Sequence, residues 1–213
     1  MKHQIETKKT GTTTLGMVCK DCVVIATESK STMGYLVASK NAQKIYDIDD
    51  KMAVTTAGSV GDAQTIVRMM RAEIALYKTT RRSDFTIKGA VTLLSNILQS
   101  TRYYPLMAML IIGGHDRDGF HIWSIDPLGG AEPDNFTATG SGSPYAYGVL
   151  ETEYRDDLTK DEAIRVAVRA VNAARERDIG SGGDIQITII TKDGMQHLAK
   201  SEIDAVFKSM KKA

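Results

Sequence analysis

The order of hydrophobic patterns along this 213-residue chain predicts an α+β fold, with two antiparallel sheets packed face to face and helices on their outer surfaces. Three observations carry that prediction. Strand-type and helix-type patterns come in groups: strands, two helices, strands, two helices, strands and one last helix. Short turn sequences such as Lys20-Asp21 and Lys192-Asp193-Gly194 join neighbouring strands, which makes those pairs antiparallel. No linker-like stretch and no repeat of fixed period interrupts the series, so residues 12–213 read as one domain.

Residues 12–19 and 22–27 form the first hairpin. Leu15, Met17 and Cys19 alternate as one face of a strand. Three threonines in succession suit a strand, because β-branched side chains lose rotamer freedom in a helix. With Cys19 opposite Cys22, Thr12 falls opposite Ser29 and Thr13 opposite Glu28, which brings Glu28 close to Thr12. An unbroken ladder leaves those two side chains on opposite faces, so joining them takes a bulge or an irregular strand end. Residues 35–38 and 44–48 read as a second hairpin around Lys40-Asn41-Ala42-Gln43, and residues 52–57 as a strand that ends at Gly58. Ser59 and Asp62 mark a helix start, followed by the stripe Ala63, Ile66, Val67, Met70, Ile74 and Tyr77.

A polar connection is expected at residues 78–84, then a second helix from near Thr86 with Ile87, Ala90, Leu94, Ile97 and Leu98 facing inward. Strands return at 107–112 and 120–125, and residues 136–139 lead into Gly140-Ser141-Gly142-Ser143 before a helix at 144–154. That glycine-serine loop is open to a phosphate-cradle reading, but it lacks both the lysine of a P-loop and dinucleotide-site spacing. Thr159 caps a long helix to about Arg177. A second glycine-rich loop at 178–183, strands at 184–191 and 195–198, and a helix at 201–211 complete the chain.

Composition excludes several classes. Hydrophobic residues are 42% and charged residues 25%, enough apolar content for a real core. A net charge of +1 argues against a nucleic-acid partner. The longest apolar run, residues 106–112, is far short of a membrane span, and the N-terminal residues MKHQIETKKTG lack the apolar centre of a signal peptide. A cytoplasmic protein is the expectation. Cys19 and Cys22 flank a turn instead of opening a helix and have no second ligand pair, so they read as structural. His3, His115, His121 and His197 have no metal-ligand spacing; no metal and no cofactor is expected.

The chemistry-bearing stretch is Gly11-Thr12-Thr13-Thr14. A threonine hydroxyl is a weak nucleophile unless a base lies beside it, and one source of that base is the threonine's own α-amine. Such an amine, with an ordinary pKa of roughly 7.7–8.0, exists only if the chain is cut immediately before the threonine. Gly11 offers no side chain to obstruct attack by the Thr12 hydroxyl on its carbonyl. Residues 1–11 then become a pro-segment removed by self-cleavage, with Thr12 as the mature N-terminus. The plainer alternative is a glycine-bounded strand.

Ordered signposts along nearly the whole chain carry a specific resemblance: Gly-Thr-Thr-Thr, Ala26-Thr27-Glu28, Lys44-Ile45, residues 57–64, Thr139-Gly140-Ser141-Gly142-Ser143, residues 147–151, and Arg177-Asp178 before Ser181-Gly182-Gly183. Together they resemble the beta-subunit family of archaeal 20S proteasomes. The resemblance implies an N-terminal nucleophile hydrolase with a four-layer αββα sandwich and threonine-type endopeptidase activity, ATP-independent, inside a barrel. By the same resemblance Thr12 is the nucleophile, Lys44 the catalytic lysine, Glu28 the carboxylate that holds it, and Gly58 the residue whose N–H faces the oxyanion. Ser141, Asp178 and Ser181 match the group that surrounds the nucleophile's amine. Ser31, Thr32, Ala42, Tyr46, Thr56 and Val60 match the specificity pocket, and the polar Thr56 among them argues against a purely hydrophobic preference.

The implied partners are beta subunits in a seven-membered ring, alpha-subunit rings, an unfoldase ATPase acting through those rings, and unfolded polypeptide substrates. Competing readings are a non-catalytic ring scaffold and a small-amide amidohydrolase of the same superfold. Without the resemblance, Glu28 and Lys44 read as a surface ion pair worth about 0–1 kcal/mol. Tyr103, Tyr104, Tyr145, Tyr147 and Tyr154 flank element ends, where an aromatic either anchors a subunit contact or packs within the chain.

Overall fold

The computed structural model of the chain describes residues 11–210, so the expected pro-segment, residues 1–10 in particular, lies outside the described residues. Strands β1 (Thr14–Val18) and β2 (Val23–Glu28) form the hairpin that the Lys20-Asp21 turn dictates. Their register runs from Thr14 opposite Thr27 to Val18 opposite Val23, as the sequence pairing requires. Cys19 and Cys22 close its turn as buried free thiols, with Cys19 N–H donating to Cys22 O at 2.8 Å.

Next come β3 (Ser31–Met33), β4 (Leu36–Ser39), β5 (Ile45–Asp49) and β6 (Met52–Gly58), then helices α1 (Val60–Arg81) and α2 (Ile87–Ser100). Strands β7 (Ala108–Asp116), β8 (Gly119–Ile125), β9 (Ala131–Asp134) and β10 (Phe136–Thr139) follow. Helices α3 (Ser143–Glu153) and α4 (Lys160–Arg177), strands β11 (Ile185–Thr191) and β12 (Gly194–His197), and helix α5 (Lys200–Met210) end the described chain.

One five-stranded sheet has the order β10-β1-β2-β11-β12 and the other β5-β6-β7-β8-β9, all neighbours antiparallel. The alternation of each strand sets the layers. Odd positions of β2 (Val23, Ile25) meet Ile45, Ala53, Ile111 and Ile122 between the sheets, while Val24 and Ala26 face α3 and α4. Val54, Leu110 and Ile112 of the second sheet face outward onto Ile66, Met70, Leu94 and Leu98 of α1 and α2. Each fully buried side chain of this size contributes roughly 1.5–3 kcal/mol. The result is the four-layer αββα sandwich. Among the described residues no helix is long and apolar enough to cross a membrane.

Helix starts follow the sequence closely. Ser59 and Thr86 accept from the N–H groups of Asp62 and Gly89, and Thr159 forms a reciprocal capping box with Glu162. Several expectations need correction. Residues 35–38 do not pair with residues 44–48: β4 pairs with β3 in a separate two-stranded sheet, and β5 pairs with β6. The segment between β4 and β5 is no hairpin turn, because Ala42 N–H donates to Ser29 O at 2.8 Å and Gln186 bonds Ala42 O at 3.2 Å, tying it to the first sheet. Helix α1 continues to Arg81 instead of stopping before Lys78, since Lys and Arg are good helix formers. Tyr77 is partly exposed and meets Phe85 edge-on, outside the buried stripe. The short edge strand β9, which contains Pro133, has no counterpart in the sequence reading.

Candidate functional site

The strand pairing of β1 with β2 ends at Thr14 opposite Thr27, and one more backbone bond, Glu28 N–H to Thr13 O at 3.4 Å, carries the same register to Thr13. That register decides what Glu28 touches. Its carboxylate, completely buried, takes Thr13 N–H on Oε1 at 3.1 Å, and Lys30 N–H and Gly182 N–H on Oε2 at 2.7 and 3.0 Å. The Lys44 ammonium also bonds Oε1. Glu28 thus meets Thr13, the residue that the sequence pairing put opposite it, one position from Thr12. The pair is no surface ion pair: Lys44 is 5% exposed and Glu28 0%.

Lys44 stands just before β5, and its Nζ donates a second bond, 2.5 Å long, to Lys30 O. Burial pushes its pKa below the ordinary lysine value, and the Lys30 charge adds to that. The Glu28 carboxylate opposes the shift.

Thr12 is held from three directions. Its hydroxyl donates to Gly11 O at 2.6 Å, its N–H donates to Ser141 Oγ at 3.1 Å, and its carbonyl accepts Gly142 N–H at 3.3 Å. Ser141 comes from the loop after β10 and gives its own hydroxyl proton to Asp178 Oδ2 at 2.6 Å. Asp178 ends α4 and takes Ser181 Oγ on the same oxygen, also at 2.6 Å. Since Ser181 is the donor there, Thr13 Oγ1 donates to Ser181 Oγ, 2.6 Å away. One carboxylate therefore orients two serines, one against Thr12 and one against Thr13. The loop at 140–143 uses two of its N–H groups within the fold, Gly142 on Thr12 O and Ser143 on Gly140 O, which leaves the phosphate reading without those two donors.

Thr12 opens onto a cavity of about 290 Å³ that Lys44 also lines. Ser31, Ala42, Tyr46, Thr56, Gly58 and Val60 form its walls. Tyr46 donates to Gln43 O at 3.1 Å, and burial raises its phenol pKa. Gly58 has φ +135°, and a Cβ there would sit 2.3 Å from Met107 O, so backbone alone fits at this corner. Thr32 stands apart from the lining: its hydroxyl accepts Gly11 N–H at 2.9 Å.

Sequence reading missed Lys30 and Gly182 around Glu28, and Ser39, Gln43 and Gln64 in the cavity wall. The two around Glu28 act through backbone N–H groups, so no side-chain signal marks them.

A larger cavity, about 700 Å³, lies at the opposite end of the second sheet among Asp49, Asp50, Lys78 and Asp116, and none of the expected site residues lines it. His197 bonds Thr188 Oγ1 at 2.9 Å and Asp47 Oδ2 at 3.0 Å, a Thr-His-Asp chain, but Thr188 is completely buried and out of reach of a substrate. Among the described residues no group of three or more His, Cys, Asp or Glu side chains could hold a metal ion.

The sequence matches the proteasome subunit family over residues 8–190. It is 51% identical over 203 residues to "Proteasome subunit beta" of Methanosarcina barkeri, covering 95% of this chain and 96% of that protein. The protein of the same name from Methanohalophilus mahii is 52% identical over 202 residues, with 94% and 96% coverage. The one from Methanococcoides burtonii is 54% identical over 189 residues, with 88% and 90% coverage.

Proposed function

The chain belongs to the proteasome subunit family, on the beta-subunit side of it, and from that premise we propose that it is a catalytic subunit, a threonine-type endopeptidase that exposes Thr12 by cutting its own chain after Gly11. One observation carries the reading: the Thr12 hydroxyl lies 2.6 Å from the Gly11 carbonyl oxygen, at the mouth of a cavity that Lys44 shares.

In self-cleavage the Thr12 Oγ attacks the Gly11 carbonyl carbon. The Oγ–C bond forms, the C–N bond breaks, and the hydroxyl proton ends on the Thr12 nitrogen. Water then hydrolyses the ester, releasing Gly11 as a carboxylate and freeing the Thr12 hydroxyl. In the mature subunit a substrate carbonyl takes the place of the Gly11 carbonyl. The freed α-amine, beside Ser141 and through it Asp178, serves as the base. The Lys44 ammonium, anchored on Glu28, favours the ionised form of the Thr12 hydroxyl. Gly58, at the cavity corner where a side chain would clash, is assigned the N–H that meets the oxyanion.

The partners that follow are further beta subunits in a ring, alpha-type rings, and an unfoldase ATPase that delivers unfolded chains; the expected compartment is the cytoplasm. Thr12→Ala is the test. In particles assembled with an alpha-type subunit it leaves residues 1–11 attached, read by mass spectrometry, and abolishes turnover of a fluorogenic peptide. Normal cleavage after Gly11 in that variant sinks the self-processing mechanism.

A further inference from the structure

We infer that Thr32 is a positioning residue for self-cleavage: its hydroxyl takes the Gly11 N–H and so fixes the Gly11 carbonyl against the Thr12 hydroxyl. This rests on the reading of Thr12 as a nucleophile that cuts its own chain.

A glycine carries one donor, one acceptor and no side chain, so nothing but its two polar groups and its packing can orient its carbonyl. Both groups are engaged. The N–H donates to Thr32 Oγ1 at 2.9 Å in a buried setting, and the carbonyl accepts Thr12 Oγ1 at 2.6 Å. Packing closes the other side: a Cβ on Gly11 would lie 2.0 Å from Gly180 Cα. Gly11 is thus wedged between β3 and the loop that carries Ser181, a fit that excludes every other residue.

On the far side of the bond to be cut, Thr12 N–H is held by Ser141. The peptide therefore has a fixed point at each end, and Thr32 supplies the one on the pro-segment side. Thr32 itself is 9% exposed and sits where the β3–β4 register shifts between Ser31 and Thr32, which turns its hydroxyl toward Gly11 instead of into the cavity wall. Attack needs the reacting atoms aligned, and small misplacements are costly in rate.

The experiment follows the loss of residues 1–11 by pulse-chase and mass spectrometry, in particles assembled with an alpha-type subunit, beside wild type and Thr12→Ala. Thr32→Val keeps the branched shape without the hydroxyl and is expected to slow cleavage about tenfold, the scale for leaving one buried donor unpaired. Thr32→Ala, which adds no apolar methyl against the peptide, is expected to be slow as well and guards against a packing defect in the valine variant. Thr32→Ser restores the rate, because it restores the acceptor; a purely structural role for the threonine methyl would not be rescued this way. Wild-type cleavage in both Thr32→Val and Thr32→Ala, with Thr12→Ala uncut, overturns the role of Thr32 and leaves self-cleavage standing. Serine as slow as valine overturns it too. Cleavage of Thr12→Ala overturns the underlying reading, and the inference with it.

Discussion

At Lys44 two demands oppose each other: burial favours the neutral amine and Glu28 favours the ammonium, and burial is the larger. If the ammonium is the working form, peptidase activity falls as pH rises through a Lys44 pKa that lies below the ordinary lysine value. Glu28→Gln removes the carboxylate that favours the charge, so this alkaline limb should move to lower pH; a limb that stays in place or moves up contradicts the assignment. Stability runs the other way. Between the lowered folded value and the unfolded one, the unfolded chain binds more protons, so the Lys44 contribution to stability rises with pH. Lys44→Ala should cost roughly 3 kcal/mol or more of transition-state stabilisation, about a hundredfold or more in kcat, while the particle still assembles. Glu28 then keeps three backbone N–H partners, which softens the usual penalty of a broken buried pair, about 3–5 kcal/mol. Lys44→Arg should fail as well, since a guanidinium is bulkier than the ammonium it replaces at this buried position. Full activity in either variant removes Lys44 from the mechanism. The pairing of Glu28 with Lys44 was expected from the ordered motifs and their side chains do meet, but their burial was not legible, because it depends on which elements cover them.

Between elements, the two sheets are held in register near the site by a short run of hydroxyls. Thr55 of β6 donates to Thr14 of β1 at 2.9 Å, and Thr14 bonds Thr139 of β10 at 2.7 Å, all buried. This tie joins the strand that leads out of Thr12 to the strand that ends at Gly58. Thr55→Val, nearly isosteric, should lower stability by about 0.5–1.5 kcal/mol, read as a shift in denaturant midpoint of the isolated chain with unchanged slope. No shift means that the hydroxyl run contributes nothing net. Sequence reading saw these threonines as strand formers only, since alternation tells which face a residue is on but not which sheet lies opposite. It read the Lys20-Asp21 turn, the caps Ser59 and Thr159 and a helix start near Thr86 correctly because each is a local signal. It missed the pairing of β4 with β3 for the converse reason: two adjacent short strands of similar composition offer no local clue to their partners. The charged end of α1 was misread because solvated charge was taken for a loop, although its residues favour helix.

For the molecule as a whole, the large apolar side chains exposed among the described residues include two groups close together in sequence, at the β3–β4 turn (Tyr35, Leu36, Val37) and after α2 (Tyr103, Tyr104, Met107). Of the tyrosines at element ends, Tyr147 and Tyr154 pack within the chain around Phe136, with Tyr154 donating to Val18 O at 3.0 Å, so only the others are available as contact anchors. Exposed apolar groups of this kind mark surfaces that association covers. An unenclosed protease of broad specificity would also attack loose segments of its neighbours, whereas one inside a chamber meets only chains threaded in unfolded. Both considerations point to activity that depends on assembly. Expressed alone, the chain should stay largely unprocessed and poorly active; with an alpha-type partner it should sediment as a large particle, begin at Thr12 and cleave peptide. Sedimentation, N-terminal sequencing and peptidase assay of the two preparations decide the matter. A processed, fully active monomer from the chain alone would refute the requirement for assembly, and would leave the exposed tyrosines without the role argued for them.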